Sequence, residues 1–172
     1  MFFSLGYIFR NEDVKKNKFL KFSIFLLFFF VFIDQYIKYI VVKRFDLYES
    51  CNFIGSLIKI KYVRNYGAAF SVFLNKTKFL IFFTILIIFV FLVFLIRKKI
   101  KDNIKIFSAT VIFAGGIGNL IDRLFRGFVV DYINLKFFPS IFNFADCLVV
   151  FGSILFLSRF IKIEISKNKL RK

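Results

Sequence analysis

The chain has 172 residues, 59% of them hydrophobic, with 31 Phe and one Pro, and a water-soluble domain of this size has too little interior to hide that much apolar side chain. A soluble enzyme, a disordered tail and a disulfide scaffold are therefore excluded, and the solvent is lipid. Lys plus Arg outnumber Asp plus Glu by 27 to 10, a net charge of +17, for which anionic phospholipid, not nucleic acid, is the expected partner in so apolar a chain.

The first apolar run covers residues 22–33 and continues past Asp34 and Lys38 to residue 42. Basic residues precede it (Arg10, Lys15, Lys16, Lys18, Lys21), but no small-residue cleavage site follows, so it reads as a retained membrane helix with a charged far end. The link after it contains IKIKYVR at 58–64. Its alternation of apolar and basic residues is the period of a half-buried strand, with Lys59 and Lys61 toward phosphate or water. A small sheet is expected within about 43–76. In NYGAAFS, 65–71, the spacing of Asn65 and Gly67 favours a turn; an Asn holding a peptide backbone through its amide is the alternative.

The second run, 79–96, has 18 residues without charge and rises about 27 Å as a helix, close to the hydrocarbon thickness. It has no polar stripe and is expected to face lipid. After a basic link at 97–105 comes the third run, 106–121, which is rich in small residues: Ser108, Ala109, Ala114, Gly115, Gly116 and Gly118. Ala114 and Gly118 form a small-xxx-small pair that permits close helix approach, so this helix belongs inside the bundle. The fourth run, 141–161, carries Asn143, Asp146, Gly152 and Ser153. The densest Lys and Arg lie in the amino-terminal segment, the 97–105 link and the carboxy-terminal tail, which fits four spans with both termini cytoplasmic. Residues 1–172 read as one domain. The fold class is an all-α membrane protein with a small β element.

Charge within a span is costly, at least about 2.5–3.5 kcal/mol at the bilayer centre, so each acid near a span needs a reason. Asp34 has Lys38 one turn later, and a local ion pair competes there with a role in organising a site. Asp122 lies beside Arg123, with Asn119 one turn before, and a structural polar knot is the leading reading. Asp131 and Asp146 lack a local basic partner, and Asn143 precedes Asp146 by three. If folding brings these two acids together, one ionises while the other keeps its proton, as an aspartic protease requires. Two separate capping or network carboxylates are the alternative. With no His, hydrolases that need one and HExxH metalloproteases are excluded. Cys51 and Cys147 form no CxxC, so no metal or cofactor is expected.

Five blocks in order, DQYIK (34–38), NYGAAFS (65–71), GGIGNLIDR (115–123), GFVVDYI (127–133) and FNFADC (142–147), resemble the lipoprotein signal peptidase family, also called signal peptidase II. The resemblance implies a multi-pass aspartic endopeptidase of the bacterial inner membrane, acting as a monomer with its active site toward the outer face. Its substrates are prolipoproteins already diacylglyceryl-modified on the cysteine before which they are cut. It implies catalytic roles for Asp131 and Asp146. Substrate-facing or supporting positions fall on Asn65, Gly115, Asn119, Arg123 and Asn143, and structural ones on Asp34, Lys38 and Asp122. An extracytoplasmic β-cradle is implied where the sheet is expected. Two other classes use the same acids, a proton-coupled carrier and a non-catalytic scaffold in which they only specify helix pairing. Four spans without an inverted repeat count against the carrier.

Overall fold

The computed structural model describes residues 2–67, 77–97 and 102–170. Four helices dominate: α1 (Phe2–Arg44), α2 (Thr77–Arg97), α3 (Asn103–Phe125) and α4 (Phe144–Leu170). Among the described residues, Lys18–Arg44, Asn103–Phe125 and Phe144–Ile163 are long and apolar enough to cross a membrane, and the apolar stretch of α2, Thr77–Val93, is shorter. Large apolar side chains such as Phe28 on α1 and Phe82 on α2 are exposed, as expected of surfaces that meet acyl chains. The parts of the 65–71 and 97–105 segments at 68–71 and 98–101 lie outside the described residues.

The third helix is the interior one, as its small residues predict. Of the window that would cross the membrane, 44% is buried in α3, against 17% in α1 and 22% in α4. Its closest partner is α4. A Cβ placed on Gly115 would meet the Ala145 carbonyl oxygen at 2.3 Å, and one on Gly152 would meet the Ser108 carbonyl oxygen at 2.9 Å. Glycine at these positions is what lets the two backbones touch. The start of α3 is fixed by Asp102, whose side chain caps Lys105 N–H at 3.0 Å. Arg159 of α4 donates to the same carboxylate through Nε at 2.9 Å and Nη2 at 2.7 Å. That guanidinium holds the Asp102 carboxyl below the usual range.

The small sheet is antiparallel, in the order β1 (Ser50–Ile54), β2 (Ile58–Asn65), β3 (Val129–Leu135) and β4 (Ile141–Phe142). The alternating 58–64 segment is the strand expected. The sheet nevertheless extends beyond the predicted 43–76, because two of its strands come from the link between the third and fourth helices. The β-branched Val129 and Val130 start β3 against the end of β2, with Asn65 opposite Val129. The fourth apolar run also differs from expectation: residues 141–142 are strand, and the helix starts only at Phe144. Asn143 causes this break, as its capping contacts show below.

An irregularity between Ile60 and Val63 shifts the register of β2 against β3. Tyr62 thereby joins Val130, Tyr132 and Val41 in one buried cluster. That cluster fastens the sheet to the carboxy-terminal part of α1, and the opposite face of β3 is left to carry Asp131.

Candidate active site

Asp34 and Lys38 of α1 and Asp122 of α3 form a buried charged knot, joined by Arg126 at the C-cap of α3. Lys38, fully buried, lies 2.8 Å from Asp34 Oδ2 and 3.1 Å from Asp122 Oδ2. Arg126 pairs with Asp122 Oδ1 and also donates to Gln35 Oε1 at 2.8 Å. Gln35 Nε2 in turn donates to both carboxylates and to the Gly118 carbonyl. Gln35 belongs to the DQYIK block but had no role in the sequence reading; an amide amid paired charges on a membrane helix was the available signal.

Each knot carboxylate has a second contact. Asp34 Oδ1 accepts the backbone N–H of Ala145 at 3.0 Å, and Asp122 Oδ2 accepts that of Val130 at 3.0 Å. Ala145 and Val130 are the residues immediately before Asp146 and Asp131. The ion pair and the organising role at Asp34 are therefore the same side chain's two contacts. The cations satisfy the charge, and the remaining lone pairs hold the two segments in place.

The start of α4 is a capping box. Asn143 Oδ1 accepts the Asp146 N–H at 2.9 Å, and Asp146 Oδ2 accepts the Asn143 N–H at 3.2 Å. The Phe144 N–H goes to the Tyr132 hydroxyl at 3.2 Å. Every N–H of the first three helical positions is thus taken, which satisfies the unpaired donors of a helix terminus. The Asn-x-x-Asp spacing at 143–146 is the sequence signature of this motif.

Asp131 and Asp146 are held by amides, without direct ion pairs among the described residues. Asp131 Oδ1 accepts from Asn143 Nδ2 at 2.6 Å and its Oδ2 from Asn65 Nδ2 at 2.8 Å. Asp146 Oδ1 accepts from Asn119 Nδ2 at 2.7 Å. Asn143 touches both acids and also donates to Asn119 Oδ1 at 3.2 Å. Neutral donors orient a carboxylate without clamping it in its charged form as a lysine would. Burial pushes the Asp131 carboxyl up to about 7, the neighbouring Asp146 charge adds to the rise, and the Asn65 and Asn143 hydrogen bonds oppose it.

Asn65 makes the turn that its spacing favours and also reaches an acid. Its Oδ1 accepts the Gly67 N–H at 2.9 Å, making the turn, while its Nδ2 reaches Asp131. Arg123 donates from Nη2 to the Gly67 carbonyl at 3.1 Å. Asn65, Asn119, Arg123, Asp131 and Asp146 all line one cavity of about 920 Å³. Beyond this polar end its walls are apolar, including Ile88 and Phe91 of α2, Phe113 of α3 and Ile154 of α4. Two of the residues predicted as substrate-facing or supporting do not line it: Asn143 is fully buried, and Gly115 is packed against Ala145 and Val149 of α4, the glycine that lines the cavity being Gly116.

The sequence profile of the signal peptidase (SPase) II family matches residues 24–162. The chain belongs to the signal peptidase II family. Members of that family are aspartic peptidases, and this one is 39% identical over 127 residues to the lipoprotein signal peptidase of Caldanaerobacter subterraneus subsp. tengcongensis, an alignment covering 74% of this chain and 87% of the relative. It is 45% identical over 141 residues to that of Borrelia duttonii, covering 74% and 82%. A solved structure described as a bacterial membrane enzyme, determined by the in meso method at 2.3 Å resolution, superposes with a TM-score of 0.78 at 32% identity, covering 83% of this chain and 88% of that one. The family assignment and the apolar helices make this a bacterial membrane protein, and its peptidase chemistry has to be found among side chains that include no histidine.

Proposed function

We propose that this signal peptidase II cleaves diacylglyceryl-modified prolipoproteins just before the lipidated cysteine, with Asp131 and Asp146 as an aspartic pair sharing one proton. The observation that carries this reading is Asn143. Its side-chain Nδ2 donates to the Asp131 carboxylate and its backbone N–H to the Asp146 carboxylate, while its Oδ1 accepts the Asp146 backbone N–H, and both acids line the same cavity.

The mechanism follows from the unequal surroundings of the pair. Asp131, pushed up to about 7, holds the shared proton at neutral pH and donates a hydrogen bond to the scissile carbonyl. Asp146 is then the ionised partner and takes a proton from the attacking water. The oxygen of that water bonds to the carbonyl carbon, giving a tetrahedral diol. Collapse breaks the C–N bond as the departing nitrogen accepts a proton from the pair. The products are a new carboxyl terminus on the signal peptide and a free amine on the lipidated cysteine. Asn119, Asn143 and Asn65 keep the carboxylates aimed, and Arg123 holds the segment after β2 through Gly67.

In this reading the whole chain is one peptidase domain with four spans, α2 being the fourth. At 21 residues α2 is about 31 Å long, enough to cross the hydrocarbon. Both termini are cytoplasmic, and the sheet is a cradle on the outer face beside the site. The apolar cavity wall receives the signal helix or acyl chain, while the polar end meets the scissile bond near the boundary, where water is available. The enzyme works as a monomer of the inner membrane.

The test is cleavage of a synthetic prolipopeptide by the reconstituted full chain, read by mass spectrometry. The expected product begins at the diacylglyceryl cysteine, and the unmodified peptide is cut far more slowly. Equal cleavage of the modified and unmodified peptides, or a cut elsewhere, contradicts the assigned substrate.

A further inference from the structure

A second polar cavity lies on the far side of the sheet from Asp131. It measures about 310 Å³ and is lined by Ser56, Lys59, Asn134 and Lys136. The register explains why these residues meet. Lys59 of β2 stands opposite Asn134 of β3, and Lys136, in the turn just after β3, lines the same space. The Lys136 N–H to Leu57 carbonyl bond, 3.0 Å, ties the end of β3 to the β1–β2 turn that carries Ser56.

The local charge is one-sided. Residues 50–67 contain no acid, and Asp131 is the single acid in 127–145, on the opposite face of β3. Among the described residues neither Lys59 nor Lys136 forms an ion pair. Lys136 Nζ lies 5.6 Å from the centroid of the Phe137 ring. Two cations and two neutral hydrogen-bonding side chains therefore surround a space without a counter-charge.

Exposed apolar residues neighbour the lining residues in the chain. Phe53, Ile54 and Leu57 at the β1–β2 turn and Phe137 after β3 are all exposed, Phe137 by 82%. Paired lysines with exposed Phe and Leu beside them in the chain are the chemistry of a surface that enters a lipid boundary, with the rings and aliphatic chains at the acyl edge and the ammonium groups at the phosphates.

We propose that this cavity binds the phosphate of an anionic phospholipid headgroup and so anchors the tip of the sheet to the membrane surface. The inference rests on the reading that the sheet stands at the outer membrane face. Its ligand is distinct from the substrate, and its lysines are outside the peptidase machinery. Ser56 and Asn134 donate to phosphate oxygens, and Lys59 and Lys136 supply the charge. The apolar tip commits the site to a lipid over free phosphate, because a soluble anion gives Phe53 and Phe137 nothing to bury against.

The experiment uses the full chain in neutral detergent, with short-chain phosphatidylglycerol or phosphatidylcholine added and bound lipid counted by native mass spectrometry. Phosphatidylglycerol is expected to be retained in preference to phosphatidylcholine. The Lys59→Gln, Lys136→Gln double variant should lose about thirty-fold in that retention, the change two cations near an anionic surface carry. The charge-keeping Lys59→Arg, Lys136→Arg variant should retain it, which separates charge loss from misfolding. Equal retention by the wild type and the glutamine variant overturns the proposal. Displacement of the lipid by millimolar inorganic phosphate alone also overturns it, in favour of a soluble-anion site. Peptide cleavage is measured in parallel in phosphatidylcholine, where the glutamine variant should match the wild type. A chain that binds phosphatidylglycerol as expected but cleaves no prolipopeptide would refute the peptidase reading and leave the lipid site standing.

Discussion

Lys38 donates from Nζ to Oδ1 of Asn119 at 3.0 Å, and this contact decides which end of the Asn119 amide faces Asp146. An ammonium group has only donors, so it must meet the amide oxygen. The amide nitrogen is thereby turned to Asp146 Oδ1, 2.7 Å away. Lys38 thus acts on the site twice: through this amide, and through the two carboxylates that hold the backbone before Asp131 and Asp146.

Replacing Lys38 with Met should therefore damage stability and turnover together. Two fully buried carboxylates would lose their shared cation, a change that typically costs about 3–5 kcal/mol. A large fall in the thermal midpoint of the detergent-solubilised protein is expected, with a lower kcat in the fraction that remains folded. An unchanged midpoint would mean that the knot carries little of the fold.

The two neighbouring glycines should respond in opposite ways. In Gly115→Ala the new Cβ would sit 2.3 Å from the Ala145 carbonyl oxygen, a backbone atom that cannot move without shifting the start of α4. Overpacking of this kind costs about 1–3 kcal/mol, and Asp146, the next residue along, moves with it. In Gly116→Ala the nearest atom is Ile88 Cδ1 at 3.5 Å, an ordinary contact, so the gain in helix propensity should raise stability by about 0.5–1 kcal/mol. Thermal melts of the two variants decide this, and equal losses would contradict the packing described.

The pH dependence follows from Asp131. Its carboxyl is raised to about 7 in the folded protein, so the proton that the mechanism needs leaves as pH passes that value, and kcat/KM should fall on the alkaline side. Asn65→Leu removes a donor that favours the ionised form, so the alkaline limb should move to higher pH; movement to lower pH would contradict its assignment to Asp131. Stability has a related sign. The native state holds this proton more tightly than the unfolded chain, so the Asp131 contribution is most favourable below the ordinary carboxylate value of 3.8. It is lost as pH rises from there through about 7. Asp131→Asn should flatten that part of the stability profile in pH-dependent melts.

Much of this was legible in the sequence because lipid makes every polar residue conspicuous. The split between acids with a basic neighbour and acids without one anticipated the split between the cation-bound Asp34 and Asp122 and the amide-bound Asp131 and Asp146. The small residues of the third run marked the interior helix, and the period of 58–64 marked β2. Strands β3 and β4 were hidden because Val129–Leu135 is buried at its start and only half-buried later, so it lacks a clean alternation. The packing of Gly115 was not legible because a glycine in a motif block looks the same whether it faces a ligand or a neighbouring helix. Its role depends on the Ala145 carbonyl, thirty residues away in the chain, and spacing alone does not reveal that. The backbone contacts of Asp34 and Asp122 were invisible for the same reason.

The most direct test of the account is single-turnover cleavage of a diacylglyceryl prolipopeptide by the Asp131→Asn and Asp146→Asn variants, each first shown to melt like a folded protein. Asn keeps the shape and loses the titrating oxygen, so each variant should be slower by about 10²–10⁴-fold, while substrate binding changes little. If either folded variant cleaves at the wild-type rate, the two aspartates do not share the chemistry.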